Sequence, residues 1–106
     1  MNSNNPFPLN VITEIESWYK QQCNSSWEHQ YGISLQTIDN PGWELKIDLL
    51  GTPYSELKME PYYCERSESD WLFCKIESGV FYAYGGPMNL CEMLKYFIIT
   101  CDELKP

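Results

Sequence analysis

Residues 29–49 read HQYGISLQTIDNPGWELKIDL, and this stretch decides the fold. Residues 29–38 and 43–49 alternate between apolar and polar side chains, which is typical of β-strands with one buried face. Between them, Asp39-Asn40-Pro41-Gly42 predicts a type II turn, because proline fixes φ at the second position and glycine tolerates a positive φ at the third. The two strands therefore form a hairpin. In its second strand the predicted inward residues are Trp43, Leu45, Ile47 and Leu49, and the outward residues are Glu44, Lys46 and Asp48.

A second hairpin is predicted further along the chain. Residues 71–77 and 80–84 have the composition of strands and flank Ser78-Gly79. Between the hairpins, residues 51–60 form a polar connection, in which a short edge strand is an open alternative. Residues 62–64 indicate another short strand, and residues 65–70 (ERSESD) a charged loop.

Each end of the chain carries a helical pattern. Asn10 is predicted to cap a helix over residues 10–22, and Asn89 a last helix with Glu92 as its capping-box partner. The predicted core stripe of the first helix is Ile12, Ile15, Trp18, Tyr19 and Gln22, and that of the last is Leu90, Met93, Leu94, Phe97, Ile98 and Cys101.

The order of these elements predicts an α+β fold, an antiparallel β-sheet of about four to six strands packed against an N-terminal and a C-terminal helix. The sequence shows no repeat and no linker. Residues 1–9 are therefore predicted to be a flexible N-terminal arm, and residues 10–106 a single domain.

Charge narrows the choice of partner. The 106 residues include 15 acidic and 7 basic side chains, a net charge of −8, with a surplus of acids in both halves. Such a surface repels phosphate backbones and anionic lipid, so neither nucleic acid nor a membrane is expected as a partner. It attracts a basic protein surface. Net charge also keeps proteins soluble, and charge alone leaves these two explanations open.

The cysteines indicate reduced thiols. Their number, five, is odd, and no two have the C-x-x-C spacing of a metal site. Residues 1–8 lack the basic and apolar regions of a signal peptide, and no apolar run approaches the ~20 residues of a membrane span. We therefore expect a cytoplasmic protein without a metal or other cofactor.

No motif in the sequence predicts catalysis. Glu28-His29 has acid–base groups, but no nucleophile or metal motif accompanies the pair, and adjacent strand residues point to opposite faces. Gly85-Gly86-Pro87 lacks the Lys-Ser/Thr of a phosphate-binding loop. It is explained by the end of the sheet and the start of a helix.

The four tryptophans fall into two groups. Trp18 and Trp43 lie in phase with apolar neighbours and are predicted to be core residues. Trp27 and Trp71 each stand beside an acid, which is typical of interface anchors, but a half-buried structural role is equally compatible with this pattern. The acidic residues of 65–70 are likewise either a solvated loop or a landing site for a basic protein surface.

Residues 27–43, WEHQYGISLQTIDNPGW, resemble the immunity protein 53 family of bacterial polymorphic toxin systems. The similarity also includes Trp18-Tyr19 and Gln22-Cys23 upstream, Lys46–Leu49 and Gly51-Thr52 downstream, Asp70-Trp71 with Cys74, and Gly85–Pro87 with Asn89-Leu90. It covers nearly the whole chain from about residue 15 to residue 98. The resemblance implies an antidote, encoded beside a toxin, that neutralises the toxic domain by binding it in the cytoplasm. Many toxins of these systems are nucleases with basic surfaces, which an acidic antidote would suit. The resemblance provides no catalytic residues.

The leading hypothesis is therefore an immunity protein, or antitoxin, that masks a cognate toxin. Two alternatives are a small structural or scaffold subunit that dimerises through an edge strand, and a small enzyme that uses Glu28 and His29. The predicted charge contacts to the toxin are Glu28, Asp39, Asp48, Glu65, Glu68 and Asp70, and the predicted anchors are Trp27 and Trp71.

Overall fold

A computed structural model describes residues 9–103 and confirms the α+β class. The elements are α1 (Leu9–Gln22), α2 (Trp27–Gln30), β1 (Ile33–Ile38), β2 (Gly42–Asp48), β3 (Tyr62–Ser67), β4 (Asp70–Glu77), β5 (Val80–Gly85) and α3 (Leu90–Glu103). The predicted arm, residues 1–9, lies outside the described residues except for Leu9, which begins α1. No helix among residues 9–103 is long and apolar enough to cross a membrane.

The five strands form one antiparallel sheet with the order β1-β2-β5-β4-β3. The predicted hairpins are β1–β2 and β4–β5, and β2 and β5 pair at the centre with Leu45 opposite Ala83 and Ile47 opposite Phe81. The connection after β2 carries the chain to β3 on the far side of the sheet. The two edges of the sheet are therefore β1 and β3.

The core lies on one face of the sheet, beneath α1 and α3. Leu45, Ile47 and Leu49 are fully buried there, which confirms the predicted phase of β2. Phe81 and Phe97 meet at a ring-centroid distance of 5.0 Å and join the sheet to α3. Two of the thiols, Cys74 and Cys101, lie in this core, where burial raises their pKa values to about 12.

The first helix differs from its prediction in its cap and in its buried stripe. The helix begins at Leu9, so Asn10 falls within α1 and not at the position that precedes it. Trp18 and Gln22 are buried as predicted, together with Val11, but Ile12 and Tyr19 are 53% and 42% exposed. The reason is that α1 packs mainly against α3 and not against the sheet, so that it buries a narrower stripe.

The predicted type II turn is wrong, although the hairpin around it is confirmed. The Asn40–Pro41 peptide bond is cis, and Gly42 belongs to β2 without a positive φ. Gly42 is required for a different reason, since a Cβ there would overlap the backbone oxygen of Gly85. At the other hairpin, Ser78 and Gly79 have φ values of 54° and 77°, as a tight turn between twisted strands requires.

Two predicted boundaries also change. Residues 65–70 are not a loop, since β3 runs to Ser67 and β4 begins at Asp70, with a bulge between Glu65 and Ser67. The first strand begins at Ile33 and not at residue 29, because the preceding residues form the short helix α2. The Asn24 side-chain oxygen accepts hydrogen bonds from the backbone N–H groups of Ser26 and Trp27 and so holds the start of α2.

Candidate partner-binding surface

Within residues 9–103, the long helices cover one face of the sheet and leave the other face uncovered. Side chains alternate along each strand, so the neighbours of the buried residues Leu45, Leu72 and Phe81 point away from the helices. We call this surface the open face. It comprises Glu44, Lys46 and Asp48 of β2, Tyr63 and Glu65 of β3, Trp71, Phe73, Lys75 and Glu77 of β4, and Val80, Tyr82 and Tyr84 of β5.

An aromatic row crosses the open face. Tyr63, Phe73 and Tyr84 occupy directly opposed positions on β3, β4 and β5. Their rings are in contact, with centroid distances of 6.2 Å for Tyr63–Phe73 and 6.2 Å for Phe73–Tyr84. The row continues through Glu44, which accepts a hydrogen bond from the Gln36 side chain on β1. Contiguous uncovered aromatic surface of this kind marks interaction sites in soluble proteins.

A second row on the open face carries a cation above an aromatic ring. The Lys75 ammonium lies 5.1 Å from the centroid of the Tyr82 ring and 2.8 Å from a Glu77 carboxylate oxygen. The hydrogen bond to Glu77 raises the pKa of Lys75 and lowers that of Glu77. The surface is thus chemically suited to hold basic side chains between rings and carboxylates.

Carboxylates surround the aromatic row. The open face contains four acids, Glu44, Asp48, Glu65 and Glu77, against Lys46 and Lys75. Burial and the nearby Glu44 charge raise the pKa of Tyr84, and a hydrogen bond to Glu65 raises the pKa of Tyr63. Both phenols therefore remain neutral at physiological pH and can donate hydrogen bonds. Aromatic rings bordered by acids fit a basic protein surface.

Three of the predicted contact residues lie on the open face, two of them opposite each other and the third at the other end of the sheet. Glu65 and Trp71 are opposed on β3 and β4, and Trp71 is half-buried. Asp48, at the end of β2, accepts a 2.9 Å hydrogen bond from the Gly32 backbone N–H. Two others lie in turns: Asp39 is exposed between β1 and β2, and Glu68 is exposed between β3 and β4.

Trp27 is a core residue and is not exposed as an anchor. Its side chain is 3% exposed, and its ring contacts that of Trp18 at a centroid distance of 6.0 Å. Its Nε1–H donates a hydrogen bond to the Leu50 carbonyl oxygen at 3.0 Å. Trp27 is the first residue of α2, and this helix directs its ring into the core. Trp27 is therefore structural, and it is more deeply buried than the half-buried role that its sequence position also allowed.

Glu28 has a local structural role. Its two carboxylate oxygens accept hydrogen bonds from the backbone N–H groups of Asn24 and Ser25, at 2.9 and 2.8 Å, and backbone hydrogen bonds lower its pKa. His29 is exposed beside it. Within residues 9–103, no group of His, Cys, Asp and Glu side chains is arranged to hold a metal ion.

Asp70 lies within an ion-pair network and is not a free surface charge. The Arg66 guanidinium contacts Asp70 at 2.9 Å and Glu92 of α3 at 2.6 Å. The Asn89 amide donates to Asp70 at 2.9 Å, and its oxygen accepts from the Gly86 N–H at 3.1 Å. The hydrogen bond between Arg66 and Asp70 lowers the pKa of Asp70 and raises the pKa of Arg66. Residues 65–70 therefore include a neutralised network as well as acids.

Apart from Trp71, the aromatic residues of the open face were not among the predicted contacts. Their signal is present in the sequence, because residues 71–77 and 80–84 place large apolar side chains on both faces of each strand. A strand with only one buried face would alternate with polar residues. The sequence alone does not reveal which of the two apolar faces the helices cover.

Comparison with known proteins identifies the family. The model of the family described as Immunity protein 53 matches residues 12–102. The chain belongs to the Immunity protein 53 family. No curated protein and no solved structure gives a significant match.

The match to the Immunity protein 53 family extends over all five strands, and the whole open face lies within it. Membership confirms the resemblance that residues 27–43 indicated. It makes the chain an immunity protein, and such a family implies a non-enzymatic inhibitor that binds a cognate toxin protein.

Proposed function

We propose that this immunity protein neutralises its cognate toxin by binding the toxic domain directly through the open face. The observation that carries the proposal is the uncovered aromatic row of Tyr63, Phe73 and Tyr84 in a member of an immunity protein family. Aromatic side chains supply most of the binding energy at many interfaces, and acids around them steer a basic partner into place.

The proposed mechanism is masking. The net charge of −8 accelerates the encounter with a positively charged domain, and the four acids of the open face orient it. A nuclease is a suitable target, because its surface for phosphate groups is basic and is blocked when an acidic protein covers it. The proposed place of action is the cytoplasm of the producing cell.

Calorimetric titration tests this proposal. The titrant is the C-terminal domain of the large protein encoded beside this gene, in an inactivated form, at low and at high salt. We expect 1:1 binding that weakens as salt increases, because salt screens the charge attraction. The absence of a complex at both salt concentrations would overturn the proposal. An affinity that does not change with salt concentration would support the neutralising role but would exclude charge attraction as its basis.

A further inference from the structure

β1 is an edge strand without the features that usually protect a sheet edge. Its sequence, ISLQTI (residues 33–38), contains no charge and no proline, and its pairing with β2 has no bulge. The opposite edge, β3, carries Glu65 and Arg66 and a bulge between Glu65 and Ser67. Charges, prolines and bulges are the common means by which proteins prevent a further strand from pairing, so only β1 is open to one.

The hydrogen-bond pattern shows which backbone groups of β1 face outward. The Gly32 carbonyl oxygen accepts from the Asp48 N–H at 3.1 Å, and the Leu49 N–H donates to the Gly79 carbonyl oxygen at 2.8 Å. In an antiparallel ladder such pairs alternate along the strand. The even-numbered residues of β1 therefore bond to β2. The N–H and C=O groups of Ile33, Leu35 and Thr37 point away from the sheet.

An apolar cleft lies at the start of this edge on the helix side. Because α1 packs mainly against α3, it leaves Leu35 of β1 45% exposed, whereas Ile33 packs against the core. Ile15 and Tyr19 of α1 and Ile33 of β1 line a cleft of ≈ 380 Å³. A strand added to β1 would direct every second side chain to the helix side, where those beside Ile33 reach this cleft.

Acids stand around the cleft and at both ends of the edge. Glu16 lines the cleft, Asp39 follows the last residue of β1, and Asp48 is bonded to Gly32 before the first. The open face adjoins this strand, since the Gln36 side chain of β1 donates a hydrogen bond to Glu44 of the open face. A toxin seated on the open face is therefore next to this edge.

We infer that an extended segment of the toxin domain adds to β1 as a sixth strand, with apolar side chains in the cleft and basic side chains near Glu16, Asp39 and Asp48. This inference rests on the proposed function. Backbone hydrogen bonds would supply affinity, and the alternating side chains would supply specificity, as in other complexes formed by strand addition.

A second copy of this chain fits the edge less well. Consider two copies whose β1 strands pair antiparallel, with Leu35 of one copy opposite Leu35 of the other. Asp39 of each copy then lies opposite Tyr31 of the other copy, close to the Asp48 carboxylate that is bonded to Gly32 there. Symmetry repeats this approach of like charges, and each copy has a net charge of −8. A basic segment reverses both effects.

Amide hydrogen exchange of the wild-type protein, followed by NMR with and without the inactivated toxin domain, tests the inference. In the free protein we expect slow exchange at Ser34, Gln36 and Ile38 and fast exchange at Ile33, Leu35 and Thr37. In the complex the fast set should slow at least tenfold. A complex in which these three amides exchange at their free rates overturns the strand addition and leaves the open-face proposal intact. If no complex forms, both are overturned.

A pair of variants at Thr37 tests the same point by affinity. Thr37→Pro removes an outward N–H that takes no part in the β1–β2 ladder, a position at which edge strands tolerate proline. Thr37→Ala removes the same side chain but keeps the N–H. We expect the proline variant, once circular dichroism shows that it is folded, to bind at least tenfold more weakly than the alanine variant. Equal affinities, or a concentration-dependent dimer of the free wild type by sedimentation, overturn the inference.

Discussion

The rings of Phe73 and Tyr84 lie side by side on adjacent strands, 6.2 Å apart between centroids, on the face of the sheet that no helix covers. Phe73 also contacts Tyr63 at 6.2 Å, so it is the centre of the row. A central aromatic residue with an aromatic on each side is the position where truncation should affect binding most strongly.

Replacement of Phe73 by alanine is therefore expected to weaken toxin binding by about 30-fold, which corresponds to a hot-spot loss of roughly 2 kcal/mol. Calorimetry of the folded variant measures this change. Ile99→Ala is the matched control, because Ile99 is an exposed apolar residue, 41% exposed, on α3 at the other side of the sheet. If the two variants bind equally well, the open face is not the binding surface.

Glu65 and Asp70 separate binding from stability within one short stretch. Glu65 lies on the open face, where its side chain accepts a hydrogen bond from the Tyr63 hydroxyl, whereas Asp70 bonds to Arg66 and Asn89. We expect Glu65→Lys to lower the association rate and its salt dependence without a large change in melting temperature. Asp70→Asn should lower the melting temperature with unchanged affinity. Stopped-flow binding and thermal unfolding measure the two effects, and the reverse assignment would contradict this division.

The carboxylate of Glu28 makes stability depend on pH. Backbone hydrogen bonds lower its pKa from the ordinary value of 4.5, so it favours the folded state above that value and loses this contribution as the pH falls through the lowered pKa. Between about pH 6 and pH 3, the melting temperature of the Glu28→Gln variant should therefore fall by less than that of the wild type. Exposed Glu56, changed to Gln, is the control. If the melting temperatures of Glu28→Gln and the wild type fall in parallel with pH, the hydrogen bonds that Glu28 accepts from Asn24 and Ser25 contribute nothing to stability.

The sequence predicted the elements whose signal is local. The alternation in residues 43–49 determined which residues of β2 are buried, and Ser78-Gly79 determined the tight turn of the β4–β5 hairpin, because strand period and turn chemistry act over a few residues. Asn89 also precedes α3 as predicted, but Glu92 contacts its side chain and not its backbone N–H, so that the predicted capping box becomes part of the Arg66 network.

The sequence did not predict features that depend on how the elements pack. Ile12 and Tyr19 fit the helical stripe well, yet they are exposed because α1 packs on α3. For the same reason the aromatic residues of β4 and β5 could not be assigned to a covered or an open face. Trp27 was ambiguous because α2, a single turn of helix, is too short to leave a periodic signal in the sequence.

Gly42 provides a test of the central packing of the sheet. A Cβ at this position would overlap the Gly85 carbonyl oxygen, a backbone atom that cannot rotate away, so Gly42→Ala must separate the start of β2 from the end of β5. Overpacking of a core typically destabilises by about 1–3 kcal/mol, and a backbone clash should lie at the upper end of that range. Gly32→Ala is the matched control, because no atom lies within 4 Å of a Cβ there and its φ is not positive. Urea unfolding should therefore show a large loss for Gly42→Ala and little change for Gly32→Ala. Equal stabilities would mean that β2 and β5 do not approach each other this closely in solution.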